Sequence, residues 1–184
     1  SYLTPSKSAW KRVLNFLTFS ISAFLAGMKG GIFDVIFCYS PPLPLGLAAM
    51  WLGMFKRIRW IFRVEDLFPD AAVASGVLRN RTLIRILLGL ERYLYRRADH
   101  ISLISPGFKE RLVARGVPPE KISVAPVWAD PAEIIPGPRQ NEFLKRLGLS
   151  DEFILLYAGN LGQTAEFDDL IHAAEKLRAV PDIR

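Results

Sequence analysis

Apolar residues run along this chain in short blocks separated by turn signals. Asp34–Tyr39 (DVIFCY), Arg59–Val64 (RWIFRV), Ile101–Ile104 and Lys121–Ala125 are apolar stretches of strand length. Longer stretches between them predict helices over Leu43–Phe55, Arg81–Arg97 and Gly107–Arg115. Ile84, Leu87, Leu88 and Tyr95 recur at helical spacing, so that face of the second helix belongs to a core. Gly116 stops the third helix, and Pro118 and Pro119 prevent its continuation. Strands alternating with helices predict an α/β fold with a Rossmann-like parallel sheet. The strands are continuously apolar rather than alternating, which predicts cover on both faces.

The pattern changes after Asp130. Pro131, Pro136, Gly137 and Pro138 mark a linker, followed by a short helix over Gln140–Leu147 and Gly148. Phe153–Ala158 (FILLYA) then reads as a fresh buried strand, turned by Gly159–Gly162 into a helix at about Ala165–Ala179. The predicted organisation is therefore residues 1–130 as one domain whose amino-terminal part is missing, residues 131–150 as linker and connecting helix, and residues 151–184 as the start of a second domain. One strand and one helix cannot bury a core of their own. The sequence thus reads as truncated at both ends, with the larger loss after Arg184.

Composition narrows the function classes. Half of the 184 residues are apolar, which provides a real core. Cys38 is the only cysteine, so no internal disulfide forms, and with two histidines there is no metal-ligand spacing. Cys38 lies in an apolar run and reads as a buried, inert thiol, consistent with a cytoplasmic setting. The apolar stretches Val13–Met28 and Leu43–Phe55 fall short of the ~20 residues of a spanning helix. No secretory leader pattern is present. The first 64 residues carry eight basic side chains against Asp34 alone, a net +7 in a chain of net +6. Such a segment attracts phosphates or an acidic membrane surface, or forms a solvated rim. No groove-reading motif accompanies the charge, which speaks against nucleic acid.

Open parallel sheets bind ligands beyond the carboxyl ends of their strands. The loops there hold Ser40-Pro41-Pro42, Glu65 to Asp70, Ser105-Pro106-Gly107, Pro126 to Asp130, and the Gly159 turn. Glu65 and Asp66 are adjacent carboxylates able to accept a proton from an attacking hydroxyl or to bind sugar hydroxyls. The structural alternative is that Asp66 caps the next turn and Glu65 pairs with an arginine. Gly159 and Gly162 let backbone approach a ligand ahead of a helix amino terminus, as a diphosphate site requires, and equally as a tight turn does. The turn is neither a Walker loop nor a complete dinucleotide fingerprint. Glu91, on the apolar stripe, predicts an ion pair with an arginine. Trp128 follows a strand and either stacks on a sugar or marks a domain junction. His100 and His172 have no ligand partners in the spacing.

The segments YSPPLPLGLAAMWL, VEDLFPDAAVASGVL, LERYLYRRADHISLISPG and LLYAGNLG, in this order, resemble the retaining family-four glycosyltransferases of the GT-B fold. Within these the likeness is to enzymes of O-antigen, capsule and colanic-acid type polysaccharides, amino-sugar transferases included. It runs from about Ala9 to the carboxyl terminus. The resemblance implies two Rossmann-like domains, an acceptor side lined by Ser40, Glu65, Asp66 and Ser105, and a donor diphosphate approached by Gly159, Asn160 and Gly162. It implies a nucleotide sugar, UDP-linked, as substrate, no cofactor and no metal. It also implies a glycan or polyprenyl-diphosphate-linked acceptor and peripheral contact with the inner face of the cell membrane. The chain departs from the family pattern at Glu65, where many relatives have histidine, at Val127 for asparagine, and at Asn160 and Ala165 for a basic pair. The family's donor-recognising E-x7-E segment falls beyond Arg184, which implies that this stretch alone is inactive. Two alternatives remain: a GT-B sugar-nucleotide epimerase, distinguished by acceptor-independent sugar interconversion, and a non-catalytic membrane-surface module, distinguished by liposome binding without nucleotide affinity.

Overall fold

The computed structural model describes residues 9–149, 152–159, 167–180 and 183. It divides into two units, Ser1–Val127 and Trp128–Arg184. The first unit contains helix α1 (Ala9–Lys29), strand β1 (Val35–Ser40), α2 (Leu43–Lys56) and β2 (Arg59–Val64). It continues through α3 (Asp70–Ala74), α4 (Arg81–Arg97), β3 (His100–Leu103), α5 (Pro106–Ala114) and β4 (Ile122–Val124). The four strands form one parallel sheet in the order β1-β2-β3-β4. The expected α/β class and Rossmann-like parallel sheet are present.

The strand order explains the layering. Each strand pairs with the next in sequence, and right-handed crossovers repeated in one direction deliver every helix to the same face. That face holds the core: Cys38 from β1, Trp60, Phe62 and Val64 from β2, Ile101 and Leu103 from β3, and Ile122 from β4, against Leu94, Tyr95 and Leu112 of the helices. Gly46 lets α2 come close, since a Cβ there would lie 2.9 Å from Leu94 Cδ1 and 3.2 Å from Phe62 Cζ. Asn80 starts α4 by accepting the Leu83 N–H at 3.0 Å. Asp99 closes the following turn on β2, accepting the Trp60 N–H at 2.8 Å.

Cover on both faces is corrected. Among the described residues the second face of the sheet carries no helix, and Val35, Phe37 and Tyr39 of β1 are each about half exposed. The one-directional order is the reason, because no crossover in it reaches that side.

In the second unit, α6 (Glu142–Arg146) begins where Asn141 accepts the Leu144 N–H, and ends at Gly148 with φ +67°. Helix α7 spans Phe167–Leu177. The strand expected over Phe153–Ala158 is also corrected. Phe153 makes a single parallel bridge to Ile183, and Phe153, Leu155, Leu156 and Tyr157 are all half exposed or more. A strand is held by a ladder of neighbours, and among the described residues this segment has only that bridge.

Candidate active site

The carboxyl ends of β1, β2 and β3 lie side by side, and the loops leaving them carry four of the sequence-predicted residues. Ser40 is the last residue of β1 and is buried; its carbonyl accepts the Glu65 N–H at 3.1 Å, locking the first two strand ends together. Glu65 is partly exposed and Asp66 exposed, both directly after β2. Ser105 follows β3 and caps α5, its hydroxyl accepting the Phe108 N–H at 3.3 Å. The Ser40–Pro41, Pro41–Pro42 and Phe68–Pro69 peptide bonds of these loops are cis.

Arg63 is the rim residue that the sequence reading missed. Its side chain is 9% exposed, on a strand whose other residues, the exposed Arg59 at its start apart, are apolar. Its guanidinium donates to Ser102 Oγ at 3.0 Å and to the Ala125 carbonyl at 2.5 Å, with Glu65 Oε1 3.6 Å from Nε. It therefore ties the ends of β2, β3 and β4 together under the candidate carboxylates. Glu65 has the arginine neighbour that its structural alternative required. A charged residue inside a buried-type strand was the available signal, since burial of a guanidinium demands several acceptors.

A second buried network braces the loop from the other side. Glu91, 1% exposed, accepts the Tyr95 hydroxyl at 2.7 Å and pairs with Arg115 at 3.2 Å. Arg115 also pairs with Asp70, the first residue of α3. Burial pushes the Glu91 carboxyl above its ordinary value of 4.5, while Tyr95 and Arg115 pull it back. Burial and the neighbouring Glu91 likewise raise the Tyr95 phenol. Helices α3, α4 and α5 are thus tied at one point, at the far end of the loop that starts with Glu65.

The remaining candidates are simply located. Cys38 is buried, as expected, and burial drives its thiol up to about 12. His100 hydrogen-bonds Ser123 Oγ at 2.9 Å, a structural contact between β3 and β4. Trp128 is exposed at the start of the second unit. Among the described residues no three His, Cys, Asp or Glu side chains form a metal-holding group.

In the second unit Gly159 is exposed, and a Cβ there would meet the Tyr157 hydroxyl at 2.8 Å. Asn160 and Gly162 lie outside the described residues. Helix α7 starts with Asp168 and Asp169 in its first turn. Those carboxylates offset the helix dipole and repel an anion there. An open, largely apolar groove of about 970 Å³ lies between residues 155–157 and α7, with Leu170, Ile171 and Ile183 on its walls.

Comparison with known proteins identifies the family. The pattern of the glycosyl transferase 4-like domain family matches residues 4–128. The colanic acid biosynthesis glycosyl transferase WcaI of Escherichia coli K12 is 24% identical over 98% of this chain and 46% of its own length. The alpha-galactosylglucosyldiacylglycerol synthase of Streptococcus pneumoniae is 36% identical over 69% of this chain and 35% of its own. The glycosyltransferase WbjE of Pseudomonas aeruginosa is 21% identical over 91% and 42%. The chain spans less than half the length of these curated relatives.

Proposed function

Since the chain belongs to the glycosyl transferase 4-like domain family, we propose that it forms the acceptor side of a retaining, metal-independent glycosyltransferase of the GT-B type, using a nucleotide sugar. In this reading residues 1–130 receive the acceptor, residues 131–150 connect, and residues 151–184 open the donor-binding domain. The observation that carries it is the rim: Ser40, Glu65, Asp66 and Ser105 stand at the carboxyl ends of adjacent parallel strands.

The chemistry asked of these residues is modest. The acceptor hydroxyl oxygen attacks the anomeric carbon on the face from which the diphosphate departs, so the configuration is kept; the bond from that carbon to the diphosphate oxygen breaks, and the nucleoside diphosphate leaves. Asp66, the exposed carboxylate, orients the hydroxyl and takes its proton. Glu65, steadied by Arg63, holds a neighbouring hydroxyl of the acceptor. Ser40 and Ser105 shape the floor. The donor diphosphate is approached by the turn at Gly159, Asn160 and Gly162 rather than by the acidic first turn of α7. The donor is a UDP-sugar, and no cofactor takes part. The relatives' names for colanic acid and for a glycolipid support a glycan or polyprenyl-diphosphate-linked acceptor in cell-surface polysaccharide synthesis. Such an acceptor calls for a cytoplasmic protein peripheral to the inner face of the membrane. Among the described residues no helix is long and apolar enough to cross it.

The test is label transfer from UDP- and GDP-sugars into a lipid extract by the full-length protein, with the anomeric configuration of the product read by NMR. Transfer with retention is expected. Sugar interconversion without acceptor, or no turnover of any nucleotide sugar, overturns the reading.

A further inference from the structure

Helix α1 has three faces. Ser20, Ala23 and Gly27 pack toward α2; a Cβ on Gly27 would meet Leu52 Cδ2 at 2.5 Å. A second face is a stripe of Trp10, Leu14, Leu17, Ile21, Leu25 and Met28, at helical spacing and each between 37% and 72% exposed. Lys11 and Lys29 lie about a quarter-turn round from that stripe, at the border of the third, polar face. The aromatic contacts Phe24–Phe55 and Trp51–Phe55 extend the exposed apolar surface onto α2.

We propose that this surface docks on a lipid bilayer with anionic headgroups, with α1 lying in the interface. The charge pattern selects that partner. No acidic residue occurs before Asp34, while Lys11, Arg12, Lys29, Lys56 and Arg57 lie in or at the ends of α1 and α2. An apolar stripe with lysines at its border is the pattern of an interfacial helix, and each cation near an anionic surface adds to the attraction. With 21 residues α1 is long enough but not apolar enough to span a membrane, and its exposed stripe leaves it the means to lie flat on one. The inference rests on the membrane-peripheral part of the proposed function and names the residues that serve it.

Flotation of the full-length protein with vesicles tests it, in tubes without nucleotide sugar, so that a failed transfer assay and a failed flotation are separate results. Vesicles of phosphatidylcholine with phosphatidylglycerol are expected to carry the protein, and vesicles of phosphatidylcholine alone to leave it behind. Ile21→Glu with Leu25→Glu is expected to weaken flotation by ~10-fold or more. Lys11→Glu with Lys29→Glu is expected to remove the preference for anionic vesicles. Ile86→Glu, on the exposed side of α4, is expected to float as wild type does. If the stripe double variant loses its thermal transition, Trp10→Glu with Leu14→Glu takes its place. The proposal is overturned if wild type fails to float, floats equally on neutral vesicles, or floats unchanged in the stripe variants. It is also overturned if the stripe proves to be covered by a second copy or by the protein's own chain, seen as protection from surface labelling without vesicles.

Discussion

Glu91 is the residue where burial and charge conflict most sharply. Its carboxyl has left water for a site with one phenol and one guanidinium, and the desolvation outweighs both. The native state therefore holds this proton at a pH where the unfolded chain has released it. The stability contributed is present below about the ordinary 4.5 and is lost as pH rises through the raised native value. Urea midpoints measured across that interval are expected to fall with pH more steeply in wild type than in Glu91→Gln; parallel curves would contradict this. Glu91→Ala should cost ~2–4 kcal/mol at neutral pH, because it strands the buried Tyr95 hydroxyl and leaves Arg115 with Asp70 as its one remaining carboxylate. The ion pair at Glu91 was legible in the sequence, since a carboxylate on an apolar stripe needs a cation. Its partner was not, because Arg115 lies 24 residues further on and only the folded chain brings the two together. Arg63 was missed for the same reason: its acceptors come from β3 and from the end of β4.

Among the elements, those with local signals were read closely. Arg59–Val64 and Arg81–Arg97 have the predicted bounds, the one set by an apolar run between turns, the other by a capping asparagine and a helical stripe. Phe153–Ala158 has the composition of a strand, yet pairing depends on neighbours that composition does not reveal. The open second face of the sheet was likewise invisible, because it follows from the order of strands rather than from any one of them. Close approach is another such property. Gly46 could have been an ordinary helical glycine, but it sits where α2 meets Leu94 and Phe62. Gly46→Leu is expected to lower stability by ~1–3 kcal/mol through overpacking, seen as a lower thermal midpoint. An unchanged midpoint would mean that α2 does not lie as close as described.

At the scale of the whole molecule, the first unit presents a rim of polar residues on a rigid parallel sheet, and the family match covers that unit. Two arginines brace the rim beside the backbone ladder. Arg63 clamps three strand ends, and Arg115 anchors the far end of the Glu65–Asp70 loop. The position of the rim was legible because ligand sites of parallel sheets follow topology. What steadies it was not. If this rim is the acceptor side, as proposed, donor affinity is expected to be independent of it. The direct measurement is the kinetics of the full-length protein carrying Asp66→Asn, beside its affinity for UDP and GDP. A fall of ~100-fold or more in kcat/KM for the acceptor, with nucleotide Kd unchanged, is the expected result. Full transfer activity in the variant, or a nucleotide affinity that falls in step with transfer, would contradict it.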